Sequence, residues 1–209
     1  MHLVCKILFL CASCNLANNA FAQSRFAQKV VVQAVPADSL AFTSGWGYHW
    51  YMIKQGDVTF ENTNGTKLKA EDTAHLYFTS HCETNVQGGY AVQYCYASIK
   101  KGVIKLNFLD GMPTYSSQYN VFIKGDSFYC KAKTVYPISS VGEKIIDITK
   151  QQTLVLDKQK YEVGDTLKGY INFTFRETSR APGRKTYNYT YYFKGFFCTL
   201  LGEKEVSGW

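Results

Sequence analysis

The densest group of side chains suited to recognition chemistry in this 209-residue chain is Gly45-Trp46-Gly47-Tyr48-His49-Trp50-Tyr51. On a strand, Trp46, Tyr48 and Trp50 fall on one side and His49 and Tyr51 on the other. Flat aromatic faces beside polar groups are how β-modules hold sugars, so Trp46, Tyr48 and Trp50 form a candidate glycan site. The competing expectation is that this strand is the aromatic centre of the core, because Trp buries much apolar area. A second row, Tyr187, Tyr189 and Tyr191, faces one way on the last hairpin and reads as interface or core.

Cysteines come next. Cys82, Cys95, Cys130 and Cys198 form an even set, which in an exported protein reads first as disulfides. Cys82 and Cys95 flank a turn containing Gly88-Gly89, which suggests that pair and leaves Cys130 with Cys198. Cys130 shares its parity with Phe128 and Ala132 and should point inward. The alternative is buried free thiols packing as small hydrophobes.

Other chemistry has little support. His75, Tyr77, Thr79 and His81 share one strand face, but His75 and His81 are about 20 Å apart there, too far to grip one metal ion. No metal or cofactor is expected. The chain contains no Gly-x-Ser-x-Gly elbow, His-Glu-x-x-His, phosphate loop or dinucleotide fingerprint. No catalytic residue is assigned, although carboxylates such as Glu61, Asp72, Glu83 and Asp110 could converge at a loop end, as in a hydrolase. Asn64-Gly65-Thr66, Asn172-Phe173-Thr174 and Asn188-Tyr189-Thr190 match the glycosylation triplet, but two of them fall within expected strands.

The compartment is read from the start of the chain. Lys6, the apolar run Ile7 to Ala12 and the exit Ala20-Phe21-Ala22 have the order of a secretory signal peptide, so residues 1–22 are expected to be removed and 23–209 to be periplasmic or secreted. Lipidation at Cys14, giving a membrane-anchored lipoprotein, is the alternative. No segment approaches the ~20 apolar residues of a transmembrane helix. The formal net charge is +7, but the basic residues are scattered and export removes the opportunity, so nucleic-acid binding is not expected.

The elements that must position these residues are strands. The chain has 16 Tyr and 14 Phe, which favour extended structure. Period-two alternation recurs in Ile104-Leu106-Phe108, Phe128-Cys130-Ala132 and Ile171-Phe173-Phe175. Hairpins are expected at Lys100-Lys101-Gly102, at Lys124-Gly125-Asp126 and across Ser179 to Arg184. Roughly ten to twelve strands follow, in an antiparallel sandwich forming one domain over 23–209, with a weak sub-boundary near 137–150.

Leu154 to Gly169 resembles the strand-turn-strand of arrestin-like and macroglobulin-type sandwiches at Tyr161, Gly164, Asp165, Thr166 and Gly169; Val163 stands where those families carry proline. The resemblance implies an Ig-like sandwich and no particular activity. The function expected is a non-catalytic structural or protein-binding module with a protein or glycan partner at the cell surface or in the periplasm.

Overall fold

Residues with a period of two and few helix-forming runs leave the chain little alternative to strands. The computed structural model describes residues 26–45, 47, 52–57, 59–69, 73, 76–109, 117–136 and 142–203. Its strands in chain order are β1 (Gln28–Lys29), β2 (Val31–Val32), β3 (Met52–Lys54), β4 (Phe60–Asn62), β5 (Ser80–Thr84), β6 (Tyr90–Val92) and β7 (Tyr94–Lys100). They continue with β8 (Val103–Leu109), β9 (Gln118–Lys124), β10 (Ser127–Lys133), β11 (Lys144–Leu156), β12 (Thr166–Arg180) and β13 (Tyr187–Gly202). A 3₁₀ segment, Ala37–Ser44, is the longest helical piece among the described residues.

One large sheet runs β1-β10-β9-β8-β7-β13-β12-β11-β2, with β5 on β13 and β6 on β5; β3 and β4 form a separate hairpin. Its two ends are adjacent pieces of one short segment. Lys29 pairs with Ser127 of β10, and Val31 pairs with Val155 of β11. The sheet therefore curls until its edges meet at residues 28–32, giving a nearly closed, barrel-like body. The sheet is mixed, because β13 runs parallel to β7 and β2 parallel to β11, where strict antiparallel pairing was expected. Turns fix direction only between strands adjacent in sequence. Both parallel contacts join strands far apart in the chain, for which alternation encodes no partner.

The main core is aromatic, with two small satellite clusters, one of Met52, Phe60 and Leu76 and one of Tyr94, Tyr96 and Leu109. Phe108, Tyr119, Phe128, Phe173, Phe175, Phe193 and Phe197 are almost wholly buried and belong to one cluster that takes side chains from both sides of 137–150. Tyr119 stacks on Phe193 at 4.2 Å between ring centroids. Its hydroxyl bonds to Tyr90 and Thr84, which spares the core an unpaired polar atom.

Between β10 and β11 the wall is closed by side chains rather than by a ladder. Cys130 N donates to Gln152 Oε1 at 2.7 Å, Thr149 Oγ1 donates to Cys130 O at 2.8 Å, and Thr134 N donates to Asp147 Oδ2 at 2.8 Å. This seam depends on a β-bulge in β11 between Thr149 and Gln151. Below the bulge Leu154 and Leu156 point inward. Above it the phase inverts, so Asp147 and Thr149 turn toward the interior while Ile146 and Ile148 are exposed. Alternation alone placed only Thr153–Leu156 in a strand, because the extra residue breaks the pattern that would have revealed Lys144 to Gln152.

The Leu154 to Gly169 segment is β11, a turn and the start of β12. Tyr161 Oη donates to Asp157 Oδ1 at 2.6 Å, and Gly164 takes φ +91°. Gly169 lies so close to β11 and β13 that a Cβ there would stand 2.4 Å from Val155 O and 2.5 Å from Phe197 Cζ.

Candidate functional site

β12 and β13 are the two longest strands, and their upper halves extend beyond the part of β13 that β5 covers. Thr84 to Ser80 of β5 pair with Phe193 to Phe197 only. At the end of that ladder Tyr192 N donates to Asn85 Oδ1 at 2.9 Å, and Thr84 Oγ1 donates to Tyr192 O at 2.7 Å. The outer edge from Tyr187 to Tyr191 pairs with no described strand. Because backbone groups alternate along a strand, Asn188 and Thr190 share the phase of Tyr192 and aim their N–H and C=O outward from that edge.

The tyrosines of this edge continue the core. Ring centroids are separated by 5.9 Å from Phe173 to Phe175, 5.6 Å from Phe175 to Tyr191, 6.0 Å from Tyr191 to Tyr189 and 6.5 Å from Tyr189 to Tyr187. The column thus starts in the buried interior and ends in solvent, with Tyr189 47% and Tyr187 50% exposed. The three tyrosine rings are nearly parallel, at 14° and 18°. Stacked on one another in this way, they offer neighbouring ligands mainly ring edges and hydroxyls.

At the foot of the row is a carboxylate network. Register sets Asp147 opposite Glu177 and Glu177 opposite Tyr189. Like charges directly opposite are destabilising, so these two need donors. Thr134 supplies Asp147 with its N–H and its hydroxyl. Tyr136 Oη donates to Glu177 at 3.0 and 2.8 Å from Oε1 and Oε2, and lies 3.4 Å from Tyr191 Oη. Ser179 Oγ donates to Glu143 Oε1 at 2.5 Å. Glu177 is 1% exposed, and desolvation holds its pKa above the usual carboxylate range, reinforced by the charges of Asp147 and Glu143 and opposed by bonds from Thr134 and Tyr136. Burial, with the Tyr191 and Glu177 contacts, also raises the pKa of Tyr136 far above that of a free phenol. Chemically this network is an anchor, tying the chain leaving β10 across the end of the barrel.

The residues singled out from sequence are distributed differently. Trp46, Tyr48 and Trp50 lie outside the described residues; the flanking Gly45 and Gly47 pack on Phe78, where a Cβ on Gly47 would come within 2.2 Å of the ring. Cys82, Cys95, Cys130 and Cys198 carry free thiols, so the disulfides that their even number suggested are not formed here. Cys130 on β10 and Cys198 on β13 are separated by β9, β8 and β7 in sheet order. Cys82 faces Val92, with Cys95 on the next strand. Burial pushes the Cys82, Cys95 and Cys130 thiols well above their ordinary pKa, and Cys198 less so. His81 is exposed and stacks on Phe42. Among the described residues no three His, Cys, Asp or Glu side chains are grouped to hold a metal ion.

Sequence reasoning found the tyrosine row but not Tyr136, Asp147 or Glu177. The bulge hides the inward phase of Asp147, whereas Glu177 continues the inward parity of Ile171, Phe173 and Phe175 and is passed over because an acid is not expected in a core position; Tyr136 lies beyond the end of β10, outside any alternation.

No protein-family model, curated protein or solved structure matches this chain.

Proposed function

We propose that this chain is an exported, non-catalytic binding module of Ig-like type that takes up a partner's extended segment along the edge of β13 that no described strand covers. The observation that carries the reading is the Tyr187 to Tyr191 edge, which pairs with no described strand, with its half-exposed tyrosine row. Such an edge is a template for strand addition, in which backbone bonds give affinity and alternate side chains give selectivity. An open edge is also a liability, since it invites indiscriminate pairing. A tyrosine row rigidly stacked onto the core, with outward backbone groups only at Asn188 and Thr190, is suited to one partner.

The other readings have less to rest on. Hydrolysis by a carboxylate pair needs an accessible acid and base, and Glu177 and Asp147 are committed to Tyr136 and Thr134. Glycan stacking needs open ring faces, whereas the described tyrosines cover one another. The leader-like residues 1–22 support a periplasmic or extracellular location, and the strand-turn-strand over Leu154 to Gly169 supports the Ig-like assignment.

Panning a random peptide library against residues 23–209 tests this even though the partner is unidentified. Selected peptides should bind the wild type and lose binding to Thr190→Pro, which deletes one outward N–H at an edge position where proline is tolerated. Tyr189→Ser should weaken the same peptides by roughly 1 kcal/mol or more through lost cross-strand contact. Peptides indifferent to both substitutions would refute strand addition at this edge.

A further inference from the structure

The inverted half of β11 has a second consequence, on the face opposite the tyrosines. Above the bulge Ile146 and Ile148 point outward and are each 44% exposed. Register sets Ile148 opposite Arg176 and Lys144 opposite Arg180, so two cations face each other across strands beside two solvent-facing isoleucines. Each arrangement is unfavourable for a sheet surrounded only by water. Across the seam a groove of about 710 Å³ continues the face, with Phe122, Tyr129 and Lys131 on one lip and Ile148 and Lys150 on the other. Phe122 and Tyr129 stack at 4.7 Å, and Phe26 packs edge-on against Tyr129 at 4.8 Å.

Lys131, Lys144, Lys150, Arg176 and Arg180 are all exposed. The ion pairs formed between described residues, Lys29 with Asp126, Lys158 with Asp165 and Lys194 with Glu83, involve none of them. Asp147 also borders the groove, but Thr134 occupies it with two donors. The face therefore carries five positive charges around an apolar centre.

We propose that this face docks on an anionic phospholipid bilayer. Charge complementarity selects a negative surface, and the isoleucines select among negative surfaces. A soluble polyanion has no use for two exposed β-branched side chains, whereas a bilayer offers acyl chains just beneath its phosphates. The groove between Lys131 and Lys150 is where a headgroup phosphate would be held, with Tyr129 and Ile148 against the glycerol and upper acyl chain. Because Tyr187, Tyr189 and Tyr191 on β13 point to the opposite side of the sheet from Ile146, Ile148 and Arg176 on β11 and β12, the bilayer leaves the strand-accepting tyrosine row available.

The test is co-sedimentation of residues 23–209 with phosphatidylcholine vesicles, with and without phosphatidylglycerol. Binding is expected only when phosphatidylglycerol is present and should weaken as salt rises. Lys150→Gln and Arg176→Gln should each reduce binding about fivefold. The double variant Ile146→Ser, Ile148→Ser should lose more than about tenfold without a lower melting temperature. Tyr189→Ser, which impairs the proposed strand site, should bind vesicles as the wild type does. Failure of the folded wild type to bind phosphatidylglycerol vesicles would overturn the proposal. So would undiminished vesicle binding by the isoleucine double variant, which would mark the face as a site for soluble polyanions.

Discussion

Glu177 is the residue under most tension. Its pKa is raised by burial and by two neighbouring acids, so the folded chain holds this proton more tightly than the unfolded chain does. The sign follows by linkage: between the ordinary glutamate pKa and the raised one, the folded state binds more protons, so stability falls as pH rises through that window and is greater below it. Glu177→Gln keeps an acceptor for Tyr136 and removes the charge. Thermal melting from about pH 4 to about pH 8 should show the wild type losing stability with rising pH relative to the variant, the two curves converging at the acid end. Parallel curves across the whole range would mean that Glu177 titrates normally. The tyrosine row was legible as a row because 187, 189 and 191 share parity, but its position half in and half out of the core was not. That depends on where β5 stops, at Phe193, and no residue on β13 announces it.

At the scale of elements, strands carrying plain alternation were readable and those carrying an interruption were not. Val103–Leu109 coincides with β8 because Ile104, Leu106 and Phe108 keep one phase throughout. β11 was cut to its last four residues because its bulge reverses the phase at Thr149. β5 lies later than Ala74–Ser80, the stretch that sequence pattern selects as a strand, because its Ser80 and Thr84 are buried polar residues that pattern assigns outward; Ser80 Oγ donates to Val92 O at 2.9 Å and Thr84 Oγ1 to Tyr192 O. β5 decides how much of β13 stays open, and its contact rests on one glycine. Gly195 adopts φ +150°, and a Cβ there would lie 2.2 Å from His81 O and 2.5 Å from Cys82 Cα. Gly195→Ala should therefore cost on the order of 2–4 kcal/mol in chemical denaturation, with β5 amides losing exchange protection first. A variant within about 0.5 kcal/mol of wild type would show that β5 has room to move away.

For the whole molecule, the barrel-like closure accounts for the division of labour between its two ends. The lower end is sealed by residues 28–32, which join β10 to β11, and is held by backbone pairing. The upper end is held by side chains, through Gln152, Thr149, Asp147 and Glu177, and from it the β12–β13 hairpin projects. Composition and period revealed an all-β protein, but closure was beyond them, since it depends on parallel pairings and a side-chain seam rather than on any strand's own pattern. The position of the recognition edge follows from this geometry: it is the stretch at the start of β13 that neither β5 nor β7 covers. The most direct test is residue-resolved amide hydrogen exchange on residues 23–209, alone and with a peptide selected by panning. Strand addition predicts that Asn188 and Thr190 exchange rapidly in the free protein and become strongly protected in the complex, while the already bonded amides of Tyr189 and Tyr191 change little. Unchanged exchange at Asn188 and Thr190 in a saturated complex would contradict it.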